Sequence, residues 1–376
     1  MSSPEARWVH SGVIDTVTVA LGDRSYDIVI GAGLLPALGT YLRSVVSPGV
    51  ATIVTNATVR RLYGDVVSAA LADAGFDPVT IEVPDGEAYK NLESLGHIYD
   101  GLVAARVERG SPIVALGGGV IGDLAGFAAA TFLRGVPFVQ VPTTVLAQVD
   151  SSVGGKTGVN HPAGKNLIGA FYQPRKVVID LETLDTLPAR ELRAGLAEVV
   201  KYGAILSAPL FAAIERDLDR LLAGDHDVLR PVIRECCALK AMVVTRDERE
   251  ADYRAILNFG HTLAHAVESL TGYDRYLHGE AVAIGMSFAA RLSHRRGLCA
   301  AETVERLVHV LQRIGLPTEL PPGLGQERIA QAVASDKKVA GRKVKFVCLE
   351  DIGSVRFEPI AADDVAALAV GGEQRA

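Results

Sequence analysis

The sequence predicts two domains, an α/β domain built on a parallel sheet and a second domain that is mostly helical. The chain has 376 residues, which exceeds the size at which one hydrophobic core keeps growing. Short β-branched segments alternate with helical stretches up to about Leu187, and long helical segments with few strands follow. Pro188 marks the expected boundary, so we assign residues 1–187 to the first domain and 188–376 to the second.

The first domain is expected to open on a hairpin and to continue with parallel strands. The segments TVTVAL (16–21) and YDIVIG (26–31) flank Gly22 and Asp23, a common turn pair between strands. Segments with the composition of buried parallel strands follow at 51–56, 78–83, 112–119, 137–144 and 177–181. In the second domain, a late strand is expected at 343–349.

Charge and cysteine content limit the partners and the compartment. The formal net charge of −6 disfavours binding to nucleic acid or to an anionic membrane, so any anion must meet a local cluster of Lys and Arg. Four cysteines, of which Cys236 and Cys237 are adjacent, form no CxxC, which argues against a disulfide framework or a thiolate metal site. Without a recognisable signal peptide or an uncharged apolar run of about 18 residues, we expect a cytoplasmic protein.

A glycine-rich turn follows the predicted strand at 112–119. Gly117, Gly119 and Gly122 have the spacing G-x-G-x-x-G between an apolar strand and a helix-like run, which is the setting of a dinucleotide-binding turn. Backbone amides at the helix start would then meet a pyrophosphate. The alternative is a tight turn that serves packing alone. The next strand ends in two threonines and lacks the acid that would bind a ribose, so the polar loop 85–90 is the candidate source of one.

Charged and imidazole side chains stand out in apolar helical segments of the second domain. Glu198 and Lys201 lie three residues apart on one helix face, where they form either a structural ion pair or part of a site. His261 and His265, four apart, either present two imidazoles to a metal or form hydrogen bonds at a domain seam. His278 precedes a further helical run. These nitrogen and oxygen donors suit zinc or a similar ion, and the absence of thiolates favours a catalytic site with an open position.

Lysines within glycine-rich or apolar stretches form a candidate cationic set. The segment GGKT at 154–157 looks like the end of a P-loop, but Asp150 stands where the first glycine of that motif is required, so we expect no nucleoside triphosphate site. Solvated surface lysines are the alternative for many of these residues. Their positions favour a substrate with phosphate and carboxylate groups. The other members of the set are Lys165, Lys240, Arg254, Lys337 and Lys338.

Several of these segments, in this order, closely resemble the 3-dehydroquinate synthase family of sugar phosphate cyclases. The resemblance rests on GGGVIGDLAGFAAATF, RGVPFVQVPTTVLAQVDSSVGGKTGVNHPAGKNLIGAFYQP, GLAEVVKYG, DERE, LNFGHTLAHAVE and LHGEAV. It extends from about Asp85 to Lys338, which is most of the chain. It implies a Rossmann-like NAD-binding α/β domain and an all-helical domain that binds metal and substrate.

The resemblance also implies a role for individual residues. The metal ligands would be Glu198, His261 and His278, so that His265 would face the substrate instead of the metal. Arg134 matches an arginine that the family lends across a homodimer interface to the substrate phosphate. The substrate positions are Asp150, Lys156, Lys165, Asn166, Lys201, Lys240, Arg254, Asn258, His265 and one of Lys337 or Lys338, of which we assign Lys338. The NAD positions are Asn56, Asp85, Gly86, Glu87, Lys90, Gly119, Val120, Ile121, Gly122, Asp123, Thr143, Thr144, Thr183, Leu184, Asp185 and Thr186, together with Lys156 and Lys165.

The implied activity is that of a carbon–oxygen lyase that needs NAD and Zn²⁺ or Co²⁺. The family converts 3-deoxy-D-arabino-heptulosonate 7-phosphate into 3-dehydroquinate and phosphate, in the shikimate pathway that leads to chorismate and the aromatic amino acids. Three alternatives remain: another sugar phosphate cyclase of the valiolone or deoxy-scyllo-inosose type, a metal-dependent polyol dehydrogenase, and a non-catalytic binding protein of the same fold. The segments DSSVGGKT, GKN and LNFGHT favour dehydroquinate formation over the other cyclases.

Overall fold

The computed structural model describes residues 12–335, 339–340 and 343–371, and the chain forms two compact units. Unit 1 consists of Met1–Leu187 and His226–Arg249, and unit 2 of Pro188–Asp225 and Glu250–Ala376. The first crossing between units therefore falls at the boundary predicted from Pro188. Assigning all of 188–376 to the second unit was wrong, because the helix after His226 returns to unit 1. The sequence shows that a helix has an apolar face, but it does not reveal which unit that face packs against.

Unit 1 contains a seven-stranded sheet and a separate hairpin. The strands are β1 Asp15–Val19, β2 Tyr26–Gly31, β3 Val50–Thr55, β4 Asp77–Glu82, β5 Ile113–Gly117, β6 Phe138–Pro142, β7 Lys156–His161, β8 Gly164–Phe171 and β9 Lys176–Asp180. The sheet has the order β1-β2-β9-β6-β5-β3-β4. Strands β1 and β2 pair antiparallel, and the other neighbours in this sheet pair parallel. Each of the seven predicted strands is confirmed. The antiparallel hairpin of β7 and β8 was not predicted.

The helices occur in both units. They are α1 Leu38–Arg43, α2 Ala57–Val59, α3 Asp65–Asp73, α4 Leu92–Ala104, α5 Gly119–Thr131, α6 Ala189–Leu206, α7 Ala208–Leu222, α8 His226–Arg246, α9 His261–Leu270, α10 His278–Arg295, α11 Ala301–Ile314, α12 Gln326–Ser335 and α13 Ala362–Gly371. Helices α1 to α5 and α8 belong to unit 1, and the others to unit 2. No helix in the described ranges is long and apolar enough to cross a membrane.

The sheet of unit 1 is covered on both faces. Along β5, Ile113 and Ala115 face a core that includes residues of α4 and α5, while Val114 and Leu116 face a core that includes residues of α1 and α3. All five residues of β5 are buried, as expected of a central parallel strand. Ligands of such sheets bind outside the carboxyl ends of the strands, which directs attention to the residues after β5 and β6.

Unit 2 is mainly helical and also contains a small sheet. Strands β10 Val339–Ala340, β11 Lys343–Asp351 and β12 Ser354–Ala361 pair antiparallel in the order β10-β11-β12. The late strand predicted at 343–349 is confirmed as part of β11. The prediction of an all-helical second domain is corrected, because β11 pairs with β10 and β12 in a small sheet. A strand without such neighbours would leave its backbone hydrogen-bonding groups unpaired. Gly353, with φ of 93°, permits the tight turn from β11 to β12.

Candidate active site

Three side chains from separate segments of unit 2 meet in one cluster. Glu198 of α6, His261 at the start of α9 and His278 at the start of α10 each offer a ligand atom, and these atoms lie within 4.8 Å of one another. The Nε2 atoms of His261 and His278 are 3.6 and 3.7 Å from Oε1 of Glu198. This is the ligand set implied by the resemblance. His265 is not part of the cluster, so the pairing of His261 with His265 as metal ligands is not supported.

Two glycines of α10 allow the three segments to approach. A Cβ atom at Gly279 would lie 1.8 Å from the carbonyl oxygen of Ala194 in α6, and one at Gly285 would lie 1.9 Å from the carbonyl oxygen of Gly260. Either side chain would force the neighbouring backbone away. Gly260 itself precedes α9 with φ of 79°, a conformation that glycine adopts without strain. The sequence thus places small residues where α6, α9 and α10 must pack closely.

The outer nitrogen of each histidine is held by a protein acceptor. Nδ1 of His261 lies 3.1 Å from the carbonyl oxygen of Phe259, and Nδ1 of His278 lies 3.4 Å from Oε1 of Glu268. Such contacts fix the ring orientation and the tautomer of a metal-ligating histidine, leaving Nε2 directed at Glu198. Glu268 is 2% exposed and was missed from the sequence. Its position seven residues after His261, on the same face of an apolar helix, was the available signal.

The electrostatics of this cluster suit a cation. Glu198 is completely buried, with a relative exposure of 0%, and forms an ion pair with Lys201, which is equally inaccessible. Neither carboxylate oxygen accepts a well-oriented hydrogen bond from the described residues. Burial, reinforced by the charges of Lys201, His278 and His265, holds the pKa of His261 well below its ordinary value. A neutral imidazole and a carboxylate with unused acceptor capacity are the donors that a divalent ion requires, so the residues fit a metal.

Other predicted substrate residues of unit 2 lie close to His261 in sequence, and His265 also lies beside it in space. The ring centroid of His265 is 5.6 Å from that of His261. Arg254 is 2% exposed, and the Asn258 amide donates to Oε1 of Glu250 at 2.8 Å. The buried guanidinium of Arg254 and the buried ammonium of Lys201 are unusual enough to favour a functional site over a plain surface role. Lys337 and Lys338 lie outside the described residues.

The glycine-rich turn of unit 1 forms the start of α5, as predicted. Gly118 is the N-cap residue, and it has no side chain that could cap this N-terminus. A Cβ atom at Gly122 would lie 2.7 Å from Oε1 of Gln140, so a side chain there would displace the amide group of the buried Gln140. Uncapped amides at a helix start attract an anion. The turn therefore fits the pyrophosphate of a dinucleotide. Val120, Ile121 and Asp123 follow within the first turns of α5.

The polar loop 85–90 is connected to two other predicted cofactor residues. The Asn56 amide donates to Oδ1 of Asp85 at 3.1 Å, and its Oδ1 caps α2 by accepting from the Val59 amide. Lys90, only 5% exposed, forms an ion pair with Asp123 of α5. Burial raises the pKa of Asp123, and the contact with Lys90 opposes that shift. The structure therefore brings residues from three predicted cofactor segments together.

The two threonine pairs occupy different environments. Thr143 and Thr144 follow β6 directly, next to the glycine-rich turn, since the amide of Thr143 donates to the carbonyl of Gly117 at 3.0 Å. In the second group, Thr183 is 1% exposed and its hydroxyl donates to the carbonyl of Asp180 at 2.6 Å. Leu184 is also buried. Asp185 and Thr186 contact His226 and Tyr63, respectively. The NAD-binding role of 183–186 remains a prediction.

The cations of unit 1 lie on several elements. Nζ of Lys240 in α8 donates to the carbonyl oxygen and to Oδ1 of Asp150, each at 2.5 Å, so these two predicted substrate residues are in contact. Lys156 begins β7 and is exposed, while Lys165 and Asn166 lie in β8. Arg134 is exposed in a turn where φ is 50° at Leu133 and 65° at Arg134. Two successive non-glycine residues in this left-handed backbone conformation are energetically costly, and such strain concentrates at functional sites.

Comparison with known proteins identifies the family. The family model described as 3-dehydroquinate synthase N-terminal matches residues 80–194, and the model described as 3-dehydroquinate synthase C-terminal matches residues 195–339. This chain belongs to the 3-dehydroquinate synthase family. It is 55% identical over 346 residues to a 3-dehydroquinate synthase of Citrifermentans bemidjiense, covering 92% of this chain and 95% of that protein. It is 56% identical over 340 residues to one of Geobacter metallireducens, covering 90% and 94%.

Solved structures similar to this 3-dehydroquinate synthase family member include other sugar phosphate cyclases. A 2-epi-5-epi-valiolone synthase from Streptomyces hygroscopicus subsp. jinggangensis, with NAD⁺ and Zn²⁺ bound, is 30% identical with a TM-score of 0.87, covering 95% of this chain and 99% of that one. A 2-deoxy-scyllo-inosose synthase complexed with carbaglucose-6-phosphate, NAD⁺ and Co²⁺ is 27% identical with a TM-score of 0.86, covering 95% and 100%. A glycerol dehydrogenase from Schizosaccharomyces pombe, 16% identical with a TM-score of 0.67, shares the fold alone.

Proposed function

We propose that this protein converts 3-deoxy-D-arabino-heptulosonate 7-phosphate into 3-dehydroquinate and phosphate, as a phosphate-eliminating carbon–oxygen lyase. The observation that carries the proposal is the cluster of Glu198, His261 and His278 in a chain 55% identical to a relative named for this reaction. The higher identity to that relative than to the valiolone and inosose synthases favours this reaction over those of the other cyclases.

Glu198, His261 and His278 would hold a divalent ion, Zn²⁺ or Co²⁺, and the glycine-rich turn with the loop 85–90 would hold NAD. When bound, the metal would lower the pKa of a substrate hydroxyl and NAD would accept and return one hydride. The protein residues have a different task, which is to bind one substrate through several successive intermediates. The buried Lys201 beside Glu198 would supply positive charge close to the metal site for an anionic group of the substrate.

The polar residues divide into two groups in this proposal. Lys156, Lys201, Lys240 and Arg254 bind the carboxylate and phosphate groups, because charge-assisted hydrogen bonds to these anions are the strongest available. Asn166, Asn258 and His265 position hydroxyl groups and move protons between them. The contact of Lys240 with Asp150 supports a common role for these two residues, in which Asp150 orients the ammonium group.

The assembly and the compartment complete the proposal. We propose a cytoplasmic homodimer in which Arg134 of each subunit binds the phosphate of the substrate held by the other. Exposure of Arg134 and the strained turn that carries it support this role, since a solvated arginine with no function would not need a costly backbone conformation.

The test is a reaction with purified, zinc-loaded protein, NAD and the heptulosonate phosphate. The expected result is release of inorganic phosphate in step with 3-dehydroquinate, with no accumulation of NADH at 340 nm, because the hydride returns to the substrate within each turnover. Accumulating NADH would indicate a polyol dehydrogenase and would refute the proposal. Absence of phosphate release from protein that binds both metal and NAD would refute it as well.

A further inference from the structure

The hairpin of β7 and β8 contains an irregularity at Asn160. Val159 pairs with Ile168 and His161 with Gly164, and the register shifts between these two pairs. The backbone N–H of Asn160 donates to the carbonyl oxygen of Lys90 at 2.7 Å, outside the hairpin. Irregularities of this kind redirect groups from a strand to a neighbouring site. Here the redirected group reaches the loop 85–90.

The side chain of Asn160 uses both ends of its amide. Its Nδ2 donates to Oε1 of Glu87 at 2.8 Å, and its Oδ1 accepts from the backbone amide of Asn166 at 2.9 Å. One end therefore contacts the loop 85–90 and the other contacts β8. An amide side chain supplies a donor and an acceptor on two separate atoms, so it can contact both segments at once.

Asn166 is held by the same network from its other side. Its backbone has φ of 53°, a left-handed conformation that asparagine tolerates better than most residues. Its Oδ1 accepts from Nζ of Lys90 at 2.7 Å, and Lys90 forms an ion pair with Asp123. The conformation of Asn166 is thus fixed by contacts with Asn160 and with the loop 85–90.

We propose that Asn160 is a positioning residue that couples dinucleotide binding to substrate binding. This rests on the proposed function, in which the loop 85–90, with Glu87 and Lys90, contacts NAD while Asn166 contacts the substrate. Because one set of hydrogen bonds connects these residues, either ligand stabilises the arrangement that the other needs. Each ligand then raises the affinity for the other by the same factor.

The experiment measures the dissociation constant of NAD by calorimetry on the zinc-loaded full chain, with and without a non-reacting phosphonate analogue of the heptulosonate phosphate. For the unchanged protein we expect the analogue to tighten NAD binding about 5-fold or more. In Asn160→Asp, an aspartate oxygen would face the Glu87 carboxylate, and the ratio of the two constants should fall towards 1. Adding Glu87→Gln restores a donor opposite Asp and should recover a part of the ratio.

A variant in the same hairpin provides the control. His161→Ala removes a contact in which Nδ1 of His161 accepts from the Ala163 amide at 3.1 Å, without affecting the contacts of Asn160, and should keep the original ratio. An unchanged ratio in Asn160→Asp, or a ratio of 1 in the unchanged protein, would overturn this inference alone. Failure of the unchanged protein to bind NAD at all would overturn the proposed function and this inference with it.

Discussion

Glu198 illustrates what a single residue reveals about this protein. The sequence shows an acid and a lysine three apart in an apolar segment, a pattern that fits an ion pair and a ligand equally well. In the fold the two side chains do form a pair, and the histidine nitrogens of two other segments also approach the same carboxylate. The ion pair is therefore observed, and the role of Glu198 as a metal ligand stays a prediction that the geometry supports. The sequence alone could not place the segments of His261 and His278 beside it.

Glu268 provides a test of the metal site at this scale. Glu268→Ala removes the acceptor of Nδ1 of His278, so the imidazole loses its fixed orientation. We expect the affinity for Zn²⁺ to fall about 10- to 100-fold, with a smaller loss for Glu268→Gln, which keeps an acceptor. Competition with a chromogenic chelator measures this. Glu215→Ala, which breaks the pair with Arg306 elsewhere in unit 2, is the control and should keep the metal affinity. Equal affinities for all of these proteins would show that Glu268 does not support the site.

Elements were predicted well where the hydrophobic pattern was strong. The seven strands of the large sheet were predicted because buried parallel strands are nearly continuous apolar runs. The hairpin of β7 and β8 was missed, since its strands contain glycine, lysine and asparagine and are only partly buried. Strand β12 was missed for a similar reason. Polar strands of this kind resemble loops in the sequence, although β7 and β8 carry three of the predicted ligand-binding residues, Lys156, Lys165 and Asn166.

The packing of α10 against α9 predicts a sensitive position. Gly285→Ala would place a Cβ atom 1.9 Å from the carbonyl oxygen of Gly260, so we expect the free energy of unfolding to fall by about 1–3 kcal/mol. The affinity for Zn²⁺ should fall too, because the displaced helices carry His261 and His278. Urea unfolding and chelator competition measure the two effects. In α4, Gly96 has no neighbouring atom within 4 Å, and Gly96→Ala should instead stabilise by about 0.5–1 kcal/mol. If Gly285→Ala changed neither the free energy of unfolding nor the affinity for Zn²⁺, the close packing of α10 against α9 would be contradicted.

The turn after β9 predicts a pH-dependent stability. Burial, followed by repulsion from Asp180 and Asp185, raises the pKa of Glu182 from 4.5 to about 6. The folded protein therefore binds the proton of the Glu182 carboxyl group more tightly than the unfolded chain does. The stabilisation that this bound proton contributes is present below pH 4.5 and is lost as pH rises through 6. Glu182→Gln should stabilise the protein at pH 7.5 by up to about 1 kcal/mol after solvent screening, with little effect at pH 4.5. Thermal unfolding at both values, with the exposed Glu108→Gln as control, measures this. A pH-independent gain would contradict the shift.

At the scale of the whole molecule, the sequence predicted a two-unit fold and its family but not the path of the chain. The composition and the boundary at Pro188 led to two consecutive domains, whereas the chain returns to unit 1 for His226–Arg249. Lys240 consequently belongs to unit 1, where it contacts Asp150. Long-range placement of this kind depends on which apolar surfaces fit together, and a periodic pattern in one helix does not contain that information.

The proposed homodimer predicts complementation between two inactive variants. Arg134→Ala and Lys156→Ala should each lose most activity. If Arg134 acts on the partner's substrate, a mixed dimer contains one intact site, and a random mixture should recover about a quarter of the original activity. The measurement is phosphate release after the two variants are unfolded and refolded together, compared with each variant refolded alone. No recovery, in a mixture that forms dimers, would place Arg134 in its own subunit's site.

The account as a whole depends on a hydride that leaves the substrate and returns to it. The most direct measurement uses heptulosonate phosphate labelled with deuterium at C5, zinc-loaded protein and NAD, with the products analysed by mass spectrometry. We expect the 3-dehydroquinate to retain the deuterium and the recovered NAD to contain none, because the same cofactor molecule returns the label before it dissociates. Deuterium in released NADH, or a product that has lost its label to solvent, would contradict the account.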